Sequence, residues 1–408
     1  MTQNHLKPDS SLLDKKLNGV LFLKKPRQGE NPLNWYSSKI AGVPFILRNL
    51  LTLQRAGINN LAVFYEDPND DLKKSFDILL KDSRLLKKIV WIPNILAFKE
   101  WIQNNTSSVY IFNGSFLYDK KELFTLIHSE PSKRNDAVVS INSENLENLF
   151  LQSESESIIQ KFEESSGSPF YVTSPNKLQA QKAEDFKIFH EAQLRKSGLS
   201  HDSPITRILS RPVSRFLTRI LVHTTLTPNT ITLISFFIGL ISAFLFSQGG
   251  YDNCLIAAIL LVFSTWIDGV DGEIARLKFM ETDIGKKLDI YCDNIIHFLV
   301  FTGIGYGVYL KAGEVIFLGL GGLAAFGGLL SFFLLSPVLL EKRSPGKQLF
   351  HISEPELAEK FANRDFIHFL LLVAAIDQLE IFIAVAAVGA NIFAGYLLYS
   401  RICKLRAA

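Results

Sequence analysis

The sequence predicts an α/β, Rossmann-like soluble domain followed by an all-α polytopic membrane domain of about six transmembrane helices. Three observations carry the prediction. Hydropathy is lopsided: the 408 residues are 48% hydrophobic with a mean hydropathy of +0.18, yet residues 1 to about 200 are mixed and polar. From Thr230 onward, apolar stretches alternate with short charged loops. Between residues 18 and 141, apolar β-rich runs alternate with helical stretches. Finally, acids recur at fixed spacing at the end of an apolar stretch: Asp268, Asp271, Asp289 and Asp293.

The first half is expected to hold strands at Gly19–Leu23, Asn60–Tyr65, Lys88–Ile92, Val109–Phe112 and Ala137–Ile141. A helix is expected over Val43–Arg55, with Gly57 as its stop signal. Strands that alternate with helices imply a largely parallel sheet. The segment Met1–Lys16 lacks the apolar core of a signal peptide, so this domain is expected to stay in the cytoplasm. A net charge of +3 and the lack of a basic patch interleaved with aromatics exclude nucleic acid as a partner. Cys254, Cys292 and Cys403 are scattered and form neither a metal-ligand spacing nor a disulfide framework.

In the second half, Thr230–Gln248 is apolar and uncharged over a length that spans a bilayer. Cys254–Ile267 reaches that length if its helix continues through the first two aspartates. Leu288–Leu310, Val315–Leu340 and Ile381–Ser400 read as further spans, and Phe366–Ile376, too short to cross alone, completes about six if its helix begins nearer Ala358 or packs inside a bundle. With the first domain inside, the cytoplasmic loops hold Arg276, Lys278, Lys286, Lys287, Lys342, Arg343, Lys347, Lys360, Arg364, Arg401, Lys404 and Arg406. The opposite side holds only Lys311, a bias that puts both ends and all four aspartates at the cytoplasmic face. Before the first span, Ser203–Leu221 carries arginines every four residues among Ile, Leu, Phe and Val. It reads as an interfacial amphipathic helix whose guanidinium groups reach lipid or substrate phosphates, the alternative being a plain solvated face.

On one helix, Asp268 and Asp271 share a face with Gly272 and Ala275; on a second, Gly285, Asp289 and Asp293 fall in line. Carboxylates at a membrane boundary are costly unless paired, hydrated or bound to metal. Converging acids point to a hard divalent cation held by oxygen ligands. Helix-capping acids are the plainer alternative, but capping asks for one acid per end and not for two in-phase pairs. An EF-hand fits worse, since after Asp268 the acid recurs at the fourth position and no closing Glu follows at the twelfth.

The pattern D-x2-D-G-x2-A-R-x8-G-x3-D-x3-D resembles the signature of the CDP-alcohol phosphotransferase family, with every position matched from Asp268 to Asp293. Thr227-Pro228-Asn229-Thr230-Ile231-Thr232 resembles the element that opens the first span of that family. The resemblance implies transfer of a phospho-alcohol from a CDP-alcohol donor to an acceptor hydroxyl, with release of CMP. It implies Asp268, Asp271, Asp289 and Asp293 as the Mg²⁺ or Mn²⁺ site, and Asp293 also as general base. Asn229, Gly272, Ala275, Arg276 and Gly285 would receive the CDP moiety. A homodimer within membrane lipid is implied as well. The rival class is a non-catalytic membrane protein that binds a nucleotide or divalent cation.

Gly42-Val43-Pro44 through Leu53-Gln54-Arg55-Ala56-Gly57-Ile58 looks like a stretch of sugar and alcohol-phosphate nucleotidyltransferases. That resemblance gives residues 1–185 as a cytidylyltransferase-like domain, 186–227 as linker and interfacial helix, and 228–408 as the phosphotransferase domain. Where those enzymes carry a glycine-rich phosphate loop, this chain has Lys24-Lys25-Pro26-Arg27-Gln28-Gly29-Glu30. Where they place a metal-binding aspartate, it has Asn113-Gly114-Ser115. A dead or altered domain is the favoured reading; an active cytidylyltransferase and an unrelated α/β domain are the alternatives. The order of parts resembles fused cytidylyltransferase–phosphotransferase proteins, which favours a polyol phosphate such as inositol phosphate as one substrate (CDP-inositol type); a CDP-diacylglycerol-type donor stays open, because the family signature concerns the CDP part alone.

Overall fold

Among the described residues of the first half the strands are Leu17–Phe22 (β1), Lys39–Ile40 (β2), Val43–Pro44 (β3), Ile58–Phe64 (β4), Val90–Ile92 (β5), Val109–Asn113 (β6) and Ser140–Ile141 (β7). The computed structural model describes residues 17–23, 26, 30–65, 71–105, 109–128, 140–141, 178–196, 206–340 and 365–407. They fall into two units, Met1–Arg195 and Lys196–Ala408.

In the first unit one sheet has the order β5-β4-β1-β6-β7; β5, β4, β1 and β6 run parallel, and β7 pairs antiparallel with β6. β2 and β3 form a separate antiparallel pair. The helices are Pro32–Ser37 (α1), Phe45–Arg55 (α2), Asp71–Leu80 (α3), Ile95–Gln103 (α4), Lys120–His128 (α5) and Asp185–Lys196 (α6). Alternate side chains of the strands build two cores, because successive Cβ atoms of a strand point to opposite faces. Val20, Phe22, Ala62, Phe64, Val109 and Ile111 pack with Phe98 and Trp101 of α4. Leu21, Leu61, Val63, Tyr110 and Phe112 pack with α2 and with Phe186 and Phe189 of α6. Burial on both faces is the expected state of a parallel sheet covered by helices.

All five expected strands are present with shifted ends, although 137–139 lie outside the described residues. The expected helix from Val43 begins instead at Phe45, because Val43 and Pro44 pair with β2. It stops at Arg55, and Gly57 takes the turn at φ +108°. The core runs past residue 185: Phe186 packs edge-on against Trp35 and Phe45, and Phe189 lies on Phe45. Of the loop after β1, residues 24, 25 and 27–29 lie outside the described residues.

The second unit is helical: Arg211–Leu221 (α7, preceded by a π-helical turn at Thr206–Ser210), Pro228–Ser247 (α8), Tyr251–Lys278 (α9), Asp283–Ala312 (α10), Ile316–Leu340 (α11), Asp365–Ala375 (α12) and Leu379–Ala407 (α13). Five of these are long and apolar enough to cross a membrane, and Phe366–Ala375 is the short apolar helix among them. The charges expected between Lys342 and Arg364 lie outside the described residues.

Small residues let these helices meet backbone to backbone, the contact available when apolar surroundings give no hydrophobic drive. A Cβ on Gly303 of α10 would sit 2.7 Å from the Ala243 carbonyl oxygen of α8, and one on Gly307 would collide with the Phe246 carbonyl oxygen. On the other side of α10, Gly305 faces Gly321 of α11, with 2.7 Å from such a Cβ to the Gly321 Cα.

α7 departs from expectation in its orientation. Its inward face is the polar one, with Arg211, Ser214 and Thr218 buried, while Phe216 and Ile220 point outward at 60% and 53% exposure. Arg211 therefore points inward, and its Nη1 donates to Oε1 of Glu273 on α9 at 2.7 Å. The cause is Glu273 itself, a fully buried carboxylate that requires donors. Arg207, Arg215 and Arg219 remain exposed.

Candidate metal centre and active site

Two helix ends build the site. α9 continues unbroken through the aspartate motif and ends where Phe279 adopts the left-handed conformation, its N–H donating to the Ala275 carbonyl. α10 begins at the Thr282 cap, whose side chain accepts the Gly285 N–H at 3.0 Å. The chain turns between them, both helices pack on α8, and acids distant in sequence share one space. Asp268, Asp271 and Asp289 each offer a carboxylate oxygen, and these oxygens lie within 4.8 Å of one another.

Asp268 and Asp271 are buried at 7% exposure, and Oδ1 of Asp289 is shielded from solvent. At an effective dielectric of about 20, two like charges at such a spacing repel by about 3 kcal/mol. Three carboxylates held this way form an all-oxygen donor set suited to a hard divalent cation. That donor chemistry fits Mg²⁺ or Mn²⁺.

Asp293, one turn beyond Asp289, lines a cavity of about 20 Å³ together with Asp268, Ser264, Thr265, Cys292 and His297. That volume has room for a water molecule, between these polar groups and the apolar Phe236, Leu261, Ile296 and Ile367. Asn229 and Gly285 meet across the mouths of α8 and α10: a Cβ on Gly285 would lie 2.8 Å from Asn229 Oδ1 and 2.9 Å from Thr282 Oγ1. On α9 the space above Gly272 is taken by Arg276, whose Nη1 would be 3.1 Å from a Cβ there. Ala275 lies half-buried one residue before Arg276.

Sequence reasoning assigned no role to several groups that support the acids. Thr232 of α8 donates its hydroxyl to Oδ2 of Asp271. Ser235, one turn on, lies 3.3 Å from Oδ1 of Asp268, and Ser264 donates to the Ser235 carbonyl at 2.7 Å. Thr232 closes the Thr227–Thr232 element, so its position was the available signal. Glu273 sits between specified motif residues and carried none. His297 is one turn past Asp293, a spacing that could have flagged it.

Residues 225–348 match the family model for CDP-alcohol phosphatidyltransferase. Residues 225–348 carry a CDP-alcohol phosphatidyltransferase family domain. The match includes Asn229, Gly285 and all four aspartates. A protein of Aquifex aeolicus named bifunctional IPC transferase and DIPP synthase is 33% identical over 103 residues, covering 25% of this chain and 23% of that protein. Its namesake in Archaeoglobus fulgidus is 34% identical over 116 residues, or 28% of this chain and 22% of the relative. Escherichia coli inner membrane protein YnjF is 33% identical over 104 residues, or 26% and 47%. The matches thus span about a quarter of each bifunctional relative and under half of YnjF. With its CDP-alcohol phosphatidyltransferase domain and five candidate spans, the chain is an integral membrane protein.

Proposed function

We propose that this chain is a CDP-alcohol phosphotransferase that moves a phospho-alcohol from a CDP-alcohol to an acceptor hydroxyl and releases CMP. The observation that carries the reading is the convergence of Asp268, Asp271 and Asp289 at the facing ends of α9 and α10, within the matched family region. Mg²⁺ or Mn²⁺ held by Asp268, Asp271 and Asp289, with Asp293 beside them, would neutralise charge on the donor pyrophosphate and on the departing CMP. Arg276, braced over Gly272, offers a bidentate donor to a phosphate. Asn229 and Gly285 frame the cytidine side, and Ala275 leaves room for the donor on the same helix.

In the transfer, the acceptor oxygen forms a bond to the β-phosphorus of the donor as the bond from that phosphorus to the CMP oxygen breaks. The acceptor proton passes to the Asp293 carboxylate.

The loop-charge bias of the sequence supports a cytoplasmic side for this site and for the first unit. The first unit acts as a degenerate cytidylyltransferase-like domain. Asn113 is 1% exposed, and its Oδ1 is occupied by the Ser115 N–H at 2.8 Å, so that corner presents no carboxylate. A homodimer through membrane helices follows the family resemblance.

The donor is the open chemical choice, and the fusion-like order of parts favours CDP-inositol over CDP-diacylglycerol. Purified full-length protein with Mg²⁺ is offered each donor in turn, with inositol phosphate, inositol, glycerol phosphate and serine as acceptors. CMP release with CDP-inositol supports the polyol reading. Release with CDP-diacylglycerol alone would make the chain a phospholipid head-group synthase.

A further inference from the structure

Behind the metal-binding face of α9 lies a second polar cluster that the aspartate motif does not specify. Glu273 is 0% exposed, and its two carboxylate oxygens take three donors from α7. Arg211 Nη1 and Ser214 Oγ reach Oε1 at 2.7 and 3.0 Å, and Thr218 Oγ1 reaches Oε2 at 2.8 Å. Those donors sit at i, i+3 and i+7, the one face of α7 that is buried. Gly269, one turn before Glu273, has no side chain between the helices; a Cβ there would meet Ser214 Cβ at 3.6 Å. A further tether follows where Lys278 Nζ donates to the Thr224 carbonyl at 2.7 Å.

The rest of the contact is apolar, with Val270, Ile274 and Ile267 against Leu217 and Leu221. Apolar side chains alone leave two helices several rotations and registers of similar energy, particularly in lipid, where hydrocarbon competes equally. A carboxylate gripped by three donors admits one arrangement. Glu273 is two residues from Asp271 and five from Asp268 on the same unbroken helix. At about 100° per residue, whatever fixes the rotation of Glu273 fixes where those acids point.

We propose that Glu273 is a positioning residue for the aspartate site: its grip on Arg211, Ser214 and Thr218 sets the rotation of α9 so that Asp268 and Asp271 face Asp289. This inference rests on the metal-dependent transferase reading of that site. A buried ion pair is a poor source of stability, and an apolar pair of similar volume often serves as well. Stability and positioning therefore separate experimentally.

The test compares the full-length protein, Glu273→Gln and the double variant Arg211→Met/Glu273→Leu in lipid nanodiscs. Mn²⁺ binding is followed by electron paramagnetic resonance, alongside thermal unfolding and the Mg²⁺ dependence of CMP release. The double variant is expected to unfold at the same temperature as the parent. Its Mn²⁺ affinity is expected to fall about tenfold, the size of effect typical of groups that orient metal ligands. Half-saturating Mg²⁺ should rise by a similar factor, more than the turnover rate at saturating Mg²⁺ falls. If the double variant fails to fold, Ser214→Ala/Thr218→Val keeps the ion pair and should lower Mn²⁺ affinity by a smaller factor. Parental Mn²⁺ affinity in every folded variant would overturn the proposal. No Mn²⁺ binding by the parent would remove the metal site itself, and the inference with it. Mn²⁺ binding weakened in the variants of a parent that releases no CMP would keep the positioning role and overturn the transferase reading alone.

Discussion

Asp293 and Asp289 sit one turn apart on α10, yet the structure gives them different surroundings. Asp289 converges with Asp268 and Asp271, whereas Asp293 lines the small cavity beside Asp268. In the proposed reaction Asp293 takes a proton, so Asp293→Asn should still bind CDP while turnover falls by about 10²–10⁴, the range of general-base catalysis. Titration calorimetry with CDP and a CMP-release assay measure the two effects, and normal turnover would strip Asp293 of its role. At Gly285 the argument is steric. An added methyl meets Asn229 Oδ1 at 2.8 Å and Thr282 Oγ1 at 2.9 Å, and the exposed Asn229 must give way. Gly285→Ala is expected to raise the donor KM about tenfold, or about 1.4 kcal/mol, with little change in thermal stability. An unchanged KM would mean that Asn229 does not read the donor. The convergence of Asp268, Asp271 and Asp289 was legible in the sequence because the spacing of the acids repeats the helical period. Glu273 was not, because a lone acid between motif residues shows nothing of the three donors that α7 brings to it.

Among the elements, the five long spans were legible from unbroken apolar length, whereas the stretch expected to complete about six spans is the short apolar helix α12 among the described residues. The orientation of α7 was not legible. Its arginine spacing is the same whether that face meets solvent, phosphate or a buried carboxylate, and the tertiary partner decides. Likewise Val43 and Pro44 read as helix until β2 offers them a strand partner. The close passage of α8 and α10 at Gly303 and Gly307 was hidden too, since a glycine in an apolar run does not say which helix approaches it. That passage makes a testable demand. Gly307→Ala puts a methyl group onto the Phe246 carbonyl oxygen, and backbone cannot swing away as a side chain can. The variant should lose about 1–3 kcal/mol of stability, the usual cost of overpacking. A thermal unfolding series in one detergent would register this, and an unshifted transition would argue against the close packing.

For the molecule as a whole, the two units differ in how directly their chemistry can be read. In the first unit the strand pattern announced the sheet, but the corner after β6 ends in Asn113 and Ser115, both buried, with the Asn113 amide oxygen bound to the turn. The full-length protein given CTP, Mg²⁺ and inositol phosphate should therefore release no pyrophosphate above background. Release at an enzymatic rate would restore an active cytidylyltransferase. In the second unit the aspartate cluster falls inside the family match, so the central claim is that the clustered aspartates drive CMP release. The measurement that tests it most directly is CMP release from CDP-inositol and CDP-diacylglycerol by the nanodisc-embedded protein, run beside Asp289→Asn. The account predicts release that stops on chelation of Mg²⁺ and falls about 10–100-fold or more in the variant, as loss of a metal-site group requires. Release that persists without divalent cation, or that is equal in the variant, would contradict it.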